Sequence, residues 1–318
     1  MCKILIIKLG ALGDIIMACP IMKRIQEWHG DADVHVLTSD IFKDFFSRWP
    51  GLTVHGLARR DAAAMLRTMR WLRAQNFTRI YDLQSNDRSG ILCALSGVRE
   101  RVGNHPRFPY SLHPPAPWRG QTHIHERWRE VLVSAGLDPG LLSPWLPIQE
   151  QDRQAAEFWL ADHGLAGRPF AILHAGASPR HLEKRWPGFG DLAAAVRATG
   201  IEVVWAGGRD DMELNRTLAQ RAGIDASAAF TLLQLAALGA HARFAVTNDS
   251  APMHALACAG IPVFGLFGPT DWRRNHAVGQ AEHVISAAAG SGQFVPAPLC
   301  YLAVAGVLER LRNASVLG

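Results

Sequence analysis

Residues 243–271 read RFAVTNDSAPMHALACAGIPVFGLFGPTD, and their pattern decides the fold. Phe244 to Val246 is an apolar run of the kind found in buried parallel strands. It runs into Asn248-Asp249-Ser250, a set of helix-capping side chains, with Pro252 where a first helical turn tolerates proline. A short apolar helix is expected from Met253 to Ala259, with Gly260 to stop it. A second buried strand, Ile261 to Phe267, then ends in Gly268-Pro269-Thr270-Asp271. The unit is strand–loop–helix–strand, and its loop offers backbone N–H groups beside a positive helix end, which suits a phosphate. The ordinary alternative is a well-capped βαβ unit with no ligand.

Working outward, the same alternation recurs on both sides. Phe170 to His174 reads as a strand, followed by the small-residue loop Ala175-Gly176-Ala177-Ser178 and the basic tract Arg180 to Arg185. Ile201 to Ala206 is a strand running into Gly207-Gly208-Arg209-Asp210-Asp211, with Glu213 on the opening turn of a helix. Thr231 precedes a helix over 233–240. Toward the N-terminus, KILIIKL (3–9) is a first strand, followed by the loop Gly10-Ala11-Leu12-Gly13-Asp14, an apolar segment containing Pro20, and a helix to Trp28. Val34 to Thr38 and Arg79 to Leu83 are further strands, with a short helix over Ile41 to Trp49. The segment 138–152 is proline-rich and reads as a linker. The spacing thus predicts an α/β protein of two doubly wound domains facing across a cleft, 1–150 and 151–300, with residues 301–318 beyond them.

Composition narrows the function. In 318 residues, 48% apolar content supports substantial cores. Cys2, Cys19, Cys93, Cys258 and Cys300 follow no CxxC or metal-ligand spacing, and read as reduced core thiols of a cytoplasmic protein. The N-terminal apolar run is too short for a signal peptide, and none of the apolar stretches approaches the ~20 residues of a membrane span. Residues 1–150 hold 19 Lys+Arg against 14 Asp+Glu, whereas 151–318 hold 14 of each, so the whole excess of +5 lies in the first half. That half favours an anionic partner, although a solvated basic face has the same composition.

Asp14 follows the first strand, where open α/β sheets bind ligands; a helix N-cap is its structural alternative. Its glycines are spaced G-x-x-G, so this is not the dinucleotide fingerprint. The proline-rich stretch 104–122 is long enough to be a functional loop. His123 and His125, two apart, cannot share a helix face as metal ligands, and Asp31-Ala32-Asp33 lies away from the carboxyl ends of the strands.

In this order, KLGALGD (8–14), HIHER (123–127), HAGAS…KRWP (174–187), GGRDDME (207–213), NDSAPMH (248–254) and FGPTD (267–271) make nearly the whole chain resemble glycosyltransferase family 9, the lipopolysaccharide heptosyltransferases. The resemblance implies the GT-B fold, with an N-terminal acceptor domain, a C-terminal nucleotide-sugar domain, and a final helix over 303–313 packing back on the first. Its implied activity is transfer of heptose from ADP-heptose to the lipopolysaccharide inner core, with no cofactor and no metal. Asp14 matches the catalytic base, with Gly13 beside it, and Lys184 the lysine that approaches the phosphates. Ala177, Ser178, Asp249, Ser250, Ala251, Met253 and His254 fall on the diphosphate loops, Glu213 on the ribose position and Thr231 beside the adenine. His123 and Arg127 match an acceptor-side motif, and Arg59, Arg60 and Arg88 are placed to join them on an anionic, lipid-linked acceptor. Peripheral attachment to the inner face of the inner membrane follows from the same charge, with no nucleic acid as partner. Two positions depart from the family pattern: Met17 stands where histidine is common, and Ala251 where glycine is usual, which requires either φ < 0 there or some backbone strain. A different acceptor, a nucleotide-sugar epimerase of the same fold, and a non-catalytic nucleotide-sugar-binding protein are the competing readings.

Chemically, transfer needs a base for the acceptor hydroxyl and stabilisation of the departing diphosphate. Asp14 can be that base where its surroundings desolvate it. Leaving-group charge is expected on Lys184 and on the backbone N–H groups of Ala251, Met253 and His254, with inversion at the anomeric carbon.

Overall fold

The computed structural model describes residues 2–58, 62–118, 122–288 and 294–317. Arg59 and Arg60 lie outside the described residues. The chain divides into two units, Met1–Pro147 and Ile148–Gly318.

The first unit contains β1 (Lys3–Ile7), α1 (Leu12–Trp28), β2 (Asp33–Ser39), α2 (Lys43–Ser47), β3 (Leu52–Leu57), α3 (Ala62–Ala74), β4 (Arg79–Asp82), α4 (Asp87–Leu95), β5 (Glu100–Val102) and α5 (Ile124–Ser134). Its strands are all parallel in the order β3-β2-β1-β4-β5. Chain direction across the sheet reverses between β1 and β4, and the carboxyl ends at such a switch point form a ligand crevice in open α/β sheets. Leu5, Ile7, Leu37, Ile80 and Leu92 are fully buried in the core on one side, each burial contributing roughly 2 kcal/mol.

One boundary differs from expectation. The sequence placed Gly10 to Asp14 in a loop and the helix beyond Pro20, but α1 begins at Leu12 and carries Pro20 inside it. Proline removes one intrahelical hydrogen bond and crowds the preceding turn. Here the helix is held by its packing: Ile15, Ile16, Met17, Ala18, Cys19, Ile21, Met22 and Ile25 are buried. Tertiary burial outweighs local propensity. Asp14 therefore sits in the first helical turn, and the N-cap is Ala11, which excludes the capping alternative for Asp14.

The second unit contains α6 (Glu150–Asp162), β6 (Phe170–His174), α7 (Phe189–Arg197), β7 (Glu202–Gly207), α8 (Met212–Ala219), β8 (Ile224–Ser227), α9 (Leu232–Gly239), β9 (Phe244–Asn248), α10 (Ala251–Ala257), β10 (Val263–Phe267), α11 (Trp272–Asn275), β11 (Val284–Ser286) and α12 (Val304–Asn313). The sheet is parallel in the order β11-β10-β9-β6-β7-β8, with its switch point between β6 and β9. Alternate strand residues enter opposite cores. Leu173, Val203, Trp205 and Val246 pack with Phe189 of α7 and with Val307 and Leu311 of α12. Ile172, Val204 and Ala245 pack with Ala156 of α6, Leu238 of α9 and Leu256 of α10. Burial on both faces explains why β6, β9 and β10 read as continuous apolar runs. The final helix, expected against the first domain, thus carries its buried residues into the core of the second unit, where Trp186 Nε1 also donates to Leu302 O at 2.9 Å.

Two smaller expectations are corrected. The proline-rich segment 138–152 ends as helix, because α6 starts at Glu150. Cys19 and Cys93 are buried thiols, whereas Cys2 and Cys300 are exposed.

Candidate functional site

In the first unit, functional side chains gather at the ends of β1 and β4. Gln84, just past β4, reaches back to β1: its Oε1 accepts from Leu9 N at 2.9 Å and Gly10 N at 3.1 Å. Asp82 anchors that turn, accepting from Gln84 N, Ser85 N and Tyr110 Oη at 3.0, 2.8 and 2.6 Å. Burial pushes its carboxyl up from the usual range, against the pull of those hydrogen bonds. Lys8 is 2% exposed, with Nζ donating to Gly10 O at 3.2 Å, 3.9 Å from Asp14 Oδ2 and 5.1 Å above the Trp128 ring. Burial lowers its pKa, and the carboxylates of Asp14 and Asp82 oppose that shift. The Asp14 side chain is 45% exposed, so the carboxylate is open on one side rather than enclosed within this unit. Gly13 lies beside it in the first turn of α1.

The acceptor-side residues separate into two kinds. Arg127 is 2% exposed, and its guanidinium is engaged: it donates to Asn104 Oδ1, to Asn104 O at 2.6 Å, to Ala116 O at 2.7 Å and to Glu130. It is the anchor of the 104–116 loop, and with four of its five N–H donors engaged it does not present the open fork expected of an anion clamp. His123 caps α5, with Nδ1 accepting from His125 N at 3.2 Å. Arg88 is half-buried at the start of α4 and donates to Ala58 O at 2.6 Å.

The second unit concentrates polar groups at the switch point. Lys184 Nζ donates to Asp249 Oδ2 at 2.6 Å, and Thr270 Oγ1 donates to the same oxygen at 2.7 Å. Ser250 Oγ lies 3.2 Å from His174 Nδ1. Asn248 ties the two strand ends together: its Nδ2 donates to Ala175 O and Gly176 O at 2.9 and 3.0 Å, while its Oδ1 accepts from Trp186 N at 3.2 Å. These bonds set the loop that carries Ala177, which is buried, and Ser178, which is exposed. Asp211 accepts from Gly208 N at 3.1 Å and lies so close to the neighbouring backbone that a Cβ on Gly176 or Gly207 would overlap it. Burial raises the Asp211 carboxyl, but His174, Gly208 and Arg185 outweigh burial and hold it below the usual range.

Ala251 is the first residue of α10 and is absent from the positive-φ positions among the described residues, so the missing glycine causes no backbone strain. Met253 is corrected: its N–H donates to Ser250 O at 3.1 Å, so this amide closes the turn instead of pointing outward. His254 is 5% exposed on the same helix. Glu213 projects from the first turn of α8 with its side chain 86% exposed and 3.4 Å from Arg216. Thr231 caps α9, its Oγ1 accepting from Gln234 N at 3.3 Å. Lys184, Asp249 and Ser250 are thus brought together, while Ser178, Glu213 and Thr231 follow the carboxyl ends of β6, β7 and β8 as separate exposed residues.

His174, Asp211, Asn248, Thr270, Lys8 and Gln84 were not singled out from the sequence. Glycines 176 and 207 were the available signal, since glycine beside a charged loop marks a close approach to backbone. Among the described residues no group of three or more His, Cys, Asp or Glu is arranged to hold a metal ion.

The sequence profile of Glycosyltransferase family 9 (heptosyltransferase) matches residues 65–295. The chain is 26% identical over 290 residues to lipopolysaccharide heptosyltransferase 3 of Escherichia coli, spanning 82% of this chain and 83% of that one. Its fold is similar to the family 9 glycosyltransferase of Veillonella parvula DSM 2008, with a TM-score of 0.81 at 20% identity over 99% of this chain and 97% of that one. It is also similar to the E. coli ADP-heptose lipopolysaccharide heptosyltransferase II, with a TM-score of 0.74 at 20% identity over 99% and 98%.

Proposed function

The chain belongs to glycosyltransferase family 9, and on that premise we propose that it is an inverting transferase moving heptose from ADP-heptose to an anionic, lipid-linked inner-core acceptor. The observation that carries this reading is the Lys184–Asp249–Ser250 cluster at the switch point of the second sheet, where an ammonium and a hydroxyl stand ready for a diphosphate.

In this reaction Asp14 takes the proton of an acceptor hydroxyl. The hydroxyl oxygen forms a bond to the anomeric carbon as the bond from that carbon to the β-phosphate oxygen breaks, and the electron pair leaves with ADP. The new charge on the diphosphate is met by Lys184 and the Ser250 hydroxyl, a role that needs no metal ion. Gly13, Ala177, Ser178, Ala251 and His254 line the donor, with Glu213 at the ribose and Thr231 near the adenine. Arg88 and His123 join Arg59 and Arg60 on the acceptor side, Arg127 acting through the loop it anchors. Among the described residues no helix is long and apolar enough to cross a membrane. The reading places the enzyme in the cytoplasm, held peripherally at the inner membrane by the basic first half.

Incubating the protein with ADP-heptose and delipidated inner-core acceptor, and following ADP release, tests the proposal. Release is expected only when both are present. ADP release without acceptor, or sugar epimerisation in its absence, overturns it.

A further inference from the structure

The transfer mechanism leaves unused three side chains of the second unit, Arg185, Asp211 and His174, which stand in a row behind Ser250. Arg185 Nη2 lies 3.4 Å from Asp211 Oδ1, Asp211 Oδ2 lies 3.7 Å from His174 Nε2, and His174 Nδ1 lies 3.2 Å from Ser250 Oγ. His174 is 3% exposed and Asp211 7%. The carboxylate is held by the Gly208 N–H and wedged against Gly176 and Gly207, so the ring faces a fixed negative charge. At 3.7 Å this is an ion-pair distance rather than a hydrogen bond.

Counting protons along the row gives two states. A carboxylate only accepts, so Asp211 favours a hydrogen on His174 Nε2. In the neutral ring Nδ1 is then a lone pair and accepts the Ser250 hydroxyl proton, which turns the oxygen's lone pairs toward anything bound beyond it. In the charged ring Nδ1 carries a second hydrogen and donates to Ser250 Oγ, which releases the hydroxyl proton for another acceptor. In that second state, with no ligand bound, Asn248 O, 3.2 Å from Ser250 Oγ, accepts the proton. An anion at Ser250 is compatible with the second state and repelled by the first.

We propose that binding of the donor's diphosphate at Ser250 draws a proton onto His174, making His174 a positioning residue that turns the Ser250 hydroxyl into a donor. This rests on the donor-site reading above. The charged groups at these strand ends are Asp211 and Arg185 beside the ring and the Lys184–Asp249 pair beside Ser250, and α10, which begins after Ser250, carries one further titratable group, the buried His254.

Calorimetric titration of the whole protein with ADP-heptose at about pH 7.5, in two buffers of different ionisation enthalpy, reads the proton directly. The donor's diphosphate is a diester with no ionisation of its own near neutrality, so uptake belongs to the protein. Wild type is expected to take up protons on binding. His174→Asn is expected to bind about tenfold more weakly with the uptake abolished. Ser250→Ala, a half-buried loop position that tolerates a smaller side chain, is expected to reduce the uptake and decides the matter if His174→Asn does not fold. Binding with no uptake in wild type, or unchanged uptake in either variant, overturns the inference while leaving the donor site standing. Failure of wild type to bind ADP-heptose removes the donor-site reading and this inference with it.

Discussion

Lys184 Nζ and Asp249 Oδ2 are 2.6 Å apart, and the same oxygen accepts from Thr270 Oγ1 at 2.7 Å. The side chains of Lys184 and Asp249 are only 17% and 7% exposed, so the ammonium is held in place before any ligand arrives. An ammonium has three donors, and one bond to Asp249 leaves others for a phosphate oxygen. A charge fixed in advance costs no reorganisation when negative charge develops on the leaving group. Lys184→Met is therefore expected to slow ADP release about 10²- to 10³-fold and to lower stability by about 2 kcal/mol, because Asp249 stays buried with one partner fewer. Steady-state kinetics and urea unfolding check both numbers. An unchanged turnover removes Lys184 from the reaction.

Arg127 carries a prediction opposite to the one its motif suggests. Because it bridges Asn104 and Ala116 while itself buried, Arg127→Met should destabilise the protein by about 3 kcal/mol and open the 104–116 loop to protease. The expected signature is a lower unfolding midpoint with new cleavage in that loop. Full stability with only a raised acceptor KM restores the direct-contact reading.

Two histidines of the first unit set an acid limit. His125 is pushed down from 6.5 to about 4 by burial and then by the Arg129 charge. His55 is pushed down to about 4 by burial, then by His35 and Lys43. Both are neutral in the fold and take up a proton on unfolding once the pH drops below about 6.5. Their stabilisation is full above that value and is lost as pH falls toward 4. His125 accounts for up to about 3 kcal/mol, and half-exposed His55 for less, since solvent screens it. Thermal unfolding between about pH 7.5 and 4.5 should show the loss, and His125→Gln should flatten it. A flat profile in wild type contradicts the burial argument.

Which parts of the chain could be read in advance follows from burial. The seven strands anticipated from sequence, β1, β2, β4, β6, β7, β9 and β10, are the interior strands of the two sheets. Those missed, β3, β5, β8 and β11, are the four edges. An interior strand covered on both faces is a continuous apolar run, as in Phe244–Asn248, all five residues of which are buried. An edge strand such as Leu52–Leu57 is only partly covered, and its Leu-Thr-Val-His-Gly-Leu pattern has no comparable signal. The site divides in the same way. Lys184, Asp249 and Ser250 stand in recognisable motifs, but His174, which meets Ser250, and Asp211, which faces His174, come together only through the sheet order, which joins β6 to β7 and β9. Arg127 stands in a recognisable motif, but sequence does not show that Asn104 and Ala116 fold over it and supply carbonyls for its guanidinium.

The central claim, that Asp14 is the base of a heptosyl transfer, is tested most directly by one comparison. Acceptor-dependent ADP release from ADP-heptose is measured for wild type and Asp14→Asn, with ADP affinity determined on the same samples. The account predicts a fall in turnover of about 10²- to 10⁴-fold with ADP affinity unchanged, since the Asp14 carboxylate lies in the first unit beside Lys8 and the diphosphate is assigned to Lys184 and Ser250 of the second. Turnover of Asp14→Asn within a few-fold of wild type contradicts it.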